Sequence, residues 1–157
     1  MKISLYCIGK TNSKELKLLM DELIKRIPLY LKFQIIEIQD VKNAKNLTAD
    51  ELKNQEAELI LSKIEETDFL ILLDEKGKEF TSVEFSVFLQ QKMNQSIKHL
   101  VFCVGGAYGF SEKIYQRSNQ KIALSKMTFT HQMIRYFFIE QLYRGFSIID
   151  GKPYHNE

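Results

Sequence analysis

A chain of 157 residues fits one domain, and 45% hydrophobic with 27% charged residues is a globular balance that excludes a disordered or fibrous protein. Lys+Arg 22 against Asp+Glu 20 leaves a formal net charge of +2, which excludes indiscriminate polyanion binding, so any RNA contact must come from a local patch. Cys7 and Cys103 each sit inside an apolar run and make neither a disulfide framework nor a zinc site.

A first strand is predicted over Lys2–Ile8, closed by Gly9-Lys10-Thr11-Asn12. Asn12 or Ser13 caps a helix in which Leu16, Leu19, Met20, Leu23, Ile24 and Ile27 recur at helical spacing, up to Pro28. The second strand is residues 33–38, and the polar stretch 39–47 reads as a mobile surface loop. Thr48 with Glu51 forms a capping box for a helix carrying Leu52, Leu59, Ile60 and Ile64 on one face. Residues 68–73 form an apolar run suited to a strand buried on both faces, as in a parallel sheet, and residues 74–78 read as a turn. Thr81 and Glu84 cap the next helix, with Val83, Val87, Phe88 and Gln91. A fourth strand spans residues 99–104 and ends at Gly105-Gly106; a helix at 111–118 and a short strand at 122–124 follow. The last helix carries Met133, Ile134, Phe137, Phe138 and Leu142, and residues 147–157 form a tail. This alternation predicts one α/β domain over residues 1–157 with a mostly parallel sheet flanked by helices. No signal peptide is visible at the N-terminus and no run approaches about 20 apolar residues, so the expected address is cytoplasmic, without a membrane.

Three features bear on chemistry. Val104-Gly105-Gly106-Ala107-Tyr108-Gly109 follows a buried strand, where glycines let backbone amides approach a ligand. It matches neither a dinucleotide fingerprint nor a phosphate-binding loop, and spacing alone leaves open a ligand loop or a plain turn into a helix. Leu124-Ser125-Lys126-Met127-Thr128-Phe129, leading to Thr130-His131, lacks either clean period and suits a backbone curling round a ligand or an ordinary connection. Arg117, Lys121, Lys126, Arg135, Arg144 and Lys152 make the C-terminal third basic, with Tyr143, Tyr154 and His155 among them. Arginine forks suit phosphates and aromatic faces suit unstacked bases, although a solvated face reads the same way. Arg135 stands out in its apolar helix, since a guanidinium there is usually paired or used. Metal-binding and nucleophile-elbow motifs are absent from the sequence, so no metal is expected.

In order and spacing these stretches resemble one family over essentially the whole chain: Lys2-Ile3 through Ile8-Gly9-Lys10, Ile35-Ile36-Glu37-Ile38, Leu72-Leu73-Asp74 with Gly77-Lys78, Val104-Gly105-Gly106 with Gly109, the 124–131 stretch, Glu140-Gln141-Leu142-Tyr143-Arg144, and Pro153-Tyr154-His155. The sequence is similar to bacterial methyltransferases of the SPOUT class that modify N3 of a pseudouridine in large-subunit (23S) ribosomal RNA. That resemblance implies an α/β fold with a C-terminal trefoil knot, although chains almost never thread through their own loops. It implies an S-adenosyl-L-methionine site at Leu73, Gly105, Gly106 and Leu124, Ser125, Lys126, Met127, Thr128 and Phe129. A homodimer packed through the last helix is implied, acting on ribosomal RNA in the assembled ribosome, with Tyr154 and His155 reaching the neighbouring subunit's cofactor. His155 is the first candidate for the base, Tyr154 and Arg135 complete the catalytic set, and Arg135, Arg144, His131 and Lys152 are expected to hold RNA. Asn156, where relatives often carry a basic residue, and Thr130, in place of a frequent proline, depart from the pattern. A small-molecule enzyme and a non-catalytic RNA-binding dimer are the competing readings.

Overall fold

In the computed structural model, which describes residues 1–153, strands and helices alternate. β1 (Lys2–Ile8) leads to α1 (Lys14–Ile24), where the Ser13 hydroxyl accepts the Leu16 N–H and so caps the first turn. β2 (Lys32–Ile38) follows, and the expected loop after it contains a 3-10 turn at Ala44–Asn46. α2 (Ala49–Leu61) starts with the Thr48–Glu51 capping box. β3 (Phe69–Glu79) precedes α3 (Ser82–Asn94), which carries the Thr81–Glu84 box. β4 (His99–Val104), α4 (Glu112–Arg117), β5 (Gln120–Ala123) and α5 (Met133–Ile149) complete the fold.

All five strands lie in one parallel sheet, ordered β2-β1-β4-β3-β5. Strand side chains alternate between two cores. Ile3, Leu5, Ile71, Leu73, Phe102 and Val104 pack with α1, α3 and α5, whereas Tyr6, Ile8, Leu70, Leu72, Val101 and Cys103 pack with α2 and α4. Helices on both faces explain why the central strands are apolar throughout rather than alternating.

Several local expectations shift. Leu19 and Val87, read as core positions, are exposed, and the buried face of α3 is Phe85, Ser86, Phe88 and Leu89. On α2 the buried residues are Glu56, Ala57 and Ile60, while Leu59 faces outward. α5 runs on to Ile149 through residues expected in the tail, because Phe146 and Ser147 are buried. The largest correction concerns residues 74–78, which are part of β3 rather than a turn ending it. The register breaks between Leu73 and Lys78, both of which face Ile122, and Lys78 and Glu79 then pair again with β5. The polar residues read as a turn because their strand partner lies more than forty positions away in sequence.

Gly77 sits where these two backbones meet. A Cβ there would lie 2.5 Å from the Ile122 nitrogen and 2.6 Å from its carbonyl carbon, so neither neighbour can yield by rotating a side chain. Substituting Gly77 by Ala is expected to destabilise the protein by about 3 kcal/mol, the upper end for an overpacked interior. Denaturant unfolding checks this, with Gly109→Ala as the milder comparison: Gly109 has φ +77 but nothing within 4 Å of its Cβ position, so only the left-handed backbone strain of about 1–2 kcal/mol applies.

Candidate active site

The carboxyl ends of β3 and β4 open onto a cleft of about 1080 Å³. Open α/β sheets bind ligands there because strand ends, loops and helix starts converge without a covering layer. Leu73 forms one wall at the point where β3 breaks register, and Val104, Gly105 and Gly106 form the next. The turn after β4 is held by the Gly109 N–H donating to the Gly106 carbonyl at 3.1 Å, with Gly109 in the left-handed region. Leu124, Ser125, Met127, Thr128, Phe129, Thr130 and His131 close the opposite side. Lys126 belongs to the same loop, but its ammonium lies 3.4 Å from a Glu79 carboxylate oxygen and it is not among the lining residues. Within the loop the Met127 N–H donates to the Ser125 hydroxyl.

Two large apolar side chains stand exposed on the rim. Met127 is 75% exposed and Phe129 44% exposed, the latter with its ring 4.8 Å from that of Phe137. Carboxylates outnumber ammonium groups in the lining: Asp50, Asp74, Glu75 and Glu112 against Lys53 and Lys76. The Asp74 carboxylate accepts a hydrogen bond from the Tyr115 hydroxyl and another from the Lys76 N–H at 2.8 Å. Burial first, and then Asp74, push the Tyr115 phenol well above its ordinary range. The Ser111 hydroxyl, buried beside the cleft, has no hydrogen-bond partner among the described residues.

Arg135 is corrected from an RNA-gripping residue to an internal one. Its side chain is 0% exposed, and its guanidinium donates to the carbonyls of Ile8 at 2.7 Å and Gly9 at 3.1 Å, to the Thr11 hydroxyl at 3.1 Å and to the His131 carbonyl at 3.1 Å. A Glu37 carboxylate oxygen stands 3.8 Å away and accepts the Thr11 N–H. Gln132 extends the seam, donating to the Lys10 carbonyl and accepting the Asn12 N–H. Arg135 therefore fastens the end of the cleft loop to the end of β1.

The remaining basic candidates are spread out. Arg144 contacts Glu140 at 2.6 Å one turn earlier on α5, Lys152 lies 3.2 Å from Asp150, and Arg117 donates to the carbonyls of Glu65 and Asp68. His131 alone of the expected RNA contacts lines the cleft. Tyr154, His155 and Asn156 lie outside the described residues. The residues that went unread in sequence are those on α2, where Asp50, Lys53 and Asn54 line the cleft and Glu56 lies behind it. An acid between the apolar positions Leu52 and Ile60 was the available signal for Glu56.

A second polar chain invites comparison with a hydrolase triad: Asp68 to His99 Nδ1 at 2.8 Å, and His99 Nε2 to the Ser4 hydroxyl at 2.8 Å. Ser4 is fully buried, accepts a further bond from Gln34, and lies at the amino ends of the strands, away from the cleft. It ties β1, β2 and β4 together, and no substrate reaches it.

Replacing Arg135 by Ala leaves the Ile8 and Gly9 carbonyls without their donor and opens a cavity. Equilibrium unfolding is expected to show a loss of about 3–5 kcal/mol, as for other broken buried ion networks. Lys152→Ala, on the surface, is expected to stay within about 0.5 kcal/mol of the parent.

Among the described residues no helix is long and apolar enough to cross a membrane, and no group of three or more His, Cys, Asp or Glu side chains is placed to hold a metal. The chain is 57% identical to the ribosomal RNA large subunit methyltransferase H of Flavobacterium psychrophilum and 56% identical to that of Flavobacterium johnsoniae, in each case over 157 residues and all of both chains. The Porphyromonas gingivalis protein of the same name is 43% identical, again over both full lengths. Residues 1–155 match the family described as predicted SPOUT methyltransferase, and with such full-length relatives the chain belongs to that methyltransferase family.

Proposed function

We propose that this protein transfers a methyl group from S-adenosyl-L-methionine to N3 of a pseudouridine in 23S ribosomal RNA, on the assembled ribosome, as a cytoplasmic homodimer. The observation that carries the reading is convergence: Leu73, Gly105-Gly106 and the 124–129 loop, far apart in sequence, wall one cleft at the strand ends. The relatives' shared name supplies the class of reaction and of RNA.

The residues present fit the cofactor. Leu73, Leu124, Met127 and Phe129 offer apolar surface for an adenine, the glycine turn leaves room for the ribose, and the carboxylate excess suits a ligand with a sulfonium charge. When bound, the cofactor supplies an electrophilic methyl group on sulfur. The protein's contribution is then alignment, which reaches about 7–11 kcal/mol in favourable cases. Arg135 acts in this scheme by fixing the cleft loop through the His131 carbonyl. His155, with Tyr154 beside it, is assigned to take the proton from the ring nitrogen, and Arg144, His131 and Lys152 to steady the RNA.

The exposed Met127, Phe129 and Met133, with half-buried Tyr136 and Phe137, support a second subunit packed over α5 and the cleft rim. The tight crossing of Gly77 over Ile122 is consistent with the threaded C-terminal path of the family.

Titration calorimetry with S-adenosyl-L-methionine is expected to give one site per chain, weakened at least tenfold by Phe129→Ala. Mass spectrometry of ribosomal RNA from cells with and without the protein is expected to differ by one methyl group on one pseudouridine, and an unchanged methyl content would refute the assignment. Sedimentation is expected to give twice the chain mass. In mixed dimers, His155→Ala on one chain is expected to impair the cofactor site of the other, and full single-turnover rates in the pure variant would remove His155 as the base.

A further inference from the structure

Behind the glycine turn lies a carboxyl group that the cleft chemistry above does not use. Glu56 on α2 is 7% exposed and makes no hydrogen bond or ion pair among the described residues. Its carboxyl group presses on Gly106 without itself lining the cleft: a Cβ on Gly106 would lie 2.4 Å from Oε1 and 2.5 Å from Oε2. The same turn is a wall of the cleft. Asp40, after β2, and the buried Cys103 thiol of β4 face Glu56, while Lys53, one turn earlier on α2, pairs with Asp50 at 3.0 Å. Among the described residues no cation pairs with Glu56.

We propose that Glu56 is a positioning residue that answers the charge of the ligand: it supports the Gly105-Gly106 turn from behind, and a cation filling the cleft in front draws it into its anionic form. The inference rests on the cofactor reading above. Burial first, and the Asp40 charge second, push the Glu56 carboxyl from its ordinary 4.5 up to about 7, so both forms are populated near neutrality. A sulfonium ligand in the cleft that Gly106 lines lowers that value by Coulomb attraction, and the released proton goes to solvent. Linkage makes the effect reciprocal: ionised Glu56 tightens cation binding by the same factor. A carboxyl raised in the folded state contributes stability that is complete below about 4.5 and lost as pH rises through about 7, so ligand binding offsets a destabilisation present at neutral pH.

The test is calorimetry in buffers of differing ionisation enthalpy, using S-adenosyl-L-methionine and its thioether product, which lacks the sulfonium charge. At pH 6.5 the cation is expected to release roughly half a proton more than the thioether, and its affinity to rise about fivefold between pH 6 and pH 8 beyond any rise for the thioether, for a shift of one pKa unit. In Glu56→Gln both differences are expected to vanish, with affinity at the level of the parent at pH 6. Equal proton counts for the two ligands in the parent overturn the inference whether or not the variant folds, as does an unchanged pH profile in the variant. Absence of binding heat with either ligand, in every buffer, sinks the cofactor reading instead and this inference with it.

Discussion

The Arg135 guanidinium holds the site together. The chain leaves β5 at one edge of the sheet and must return to the interior strands before α5 can bury Phe138, Ile139, Leu142 and Phe146 against α1 and α3. The carbonyls at the end of β1 have no strand or helix continuing beyond them, and a buried carbonyl left unpaired is unfavourable. Arg135 satisfies both needs, placing its fork on Ile8, Gly9 and Thr11 and its Nε on His131. Burying the charge is tolerated because charge-assisted hydrogen bonds replace its hydration and Glu37 stands nearby. With the loop's end fixed, residues 124–131 are obliged to arch over the strand ends, and the arch is the cleft.

Two glycines let backbones approach where that arch and its neighbours meet, for different reasons. Gly77 lies against the main chain of β5, so the far half of β3 can re-pair beyond its register break. Gly106 lies against a carboxyl group, so α2 can pack directly against a wall of the cleft. Neither has a positive φ; each is required by contact rather than by conformation. Gly109 is the opposite case, open in space and left-handed in φ. Among the described residues the cleft lining is rich in acids and Glu56, beside it on α2, has no cationic partner, an arrangement that favours a cationic ligand.

The capping boxes at Thr48–Glu51 and Thr81–Glu84, the strands at Lys2–Ile8 and His99–Val104, and the parallel sheet were legible because each depends on neighbours within a few positions or on an apolar run. The far half of β3 was not, because Lys78 and Glu79 are strand only by virtue of pairing with Ile122 and Ala123. The buried face of α3 was misjudged because Val87 and Phe88 are equally apolar, and only packing against the sheet selects Phe88. At the site, the glycine turn and the 124–129 loop were recognisable as stretches, and the resemblance joined them. The part played by α2 was invisible, since Asp50, Lys53 and Glu56 look like any charged helix surface until the fold turns the first two toward the cleft and sets Glu56 against Gly106.

By itself, then, the sequence determined the class of fold, most element boundaries and the family, since helix caps, apolar runs and motif order are short-range properties written along the chain. Tertiary structure alone decided what Arg135 touches, which glycine Glu56 lies against and where β3 ends. Those outcomes depend on groups brought together from distant positions, where burial and the loss of water set the strength of each hydrogen bond and charge.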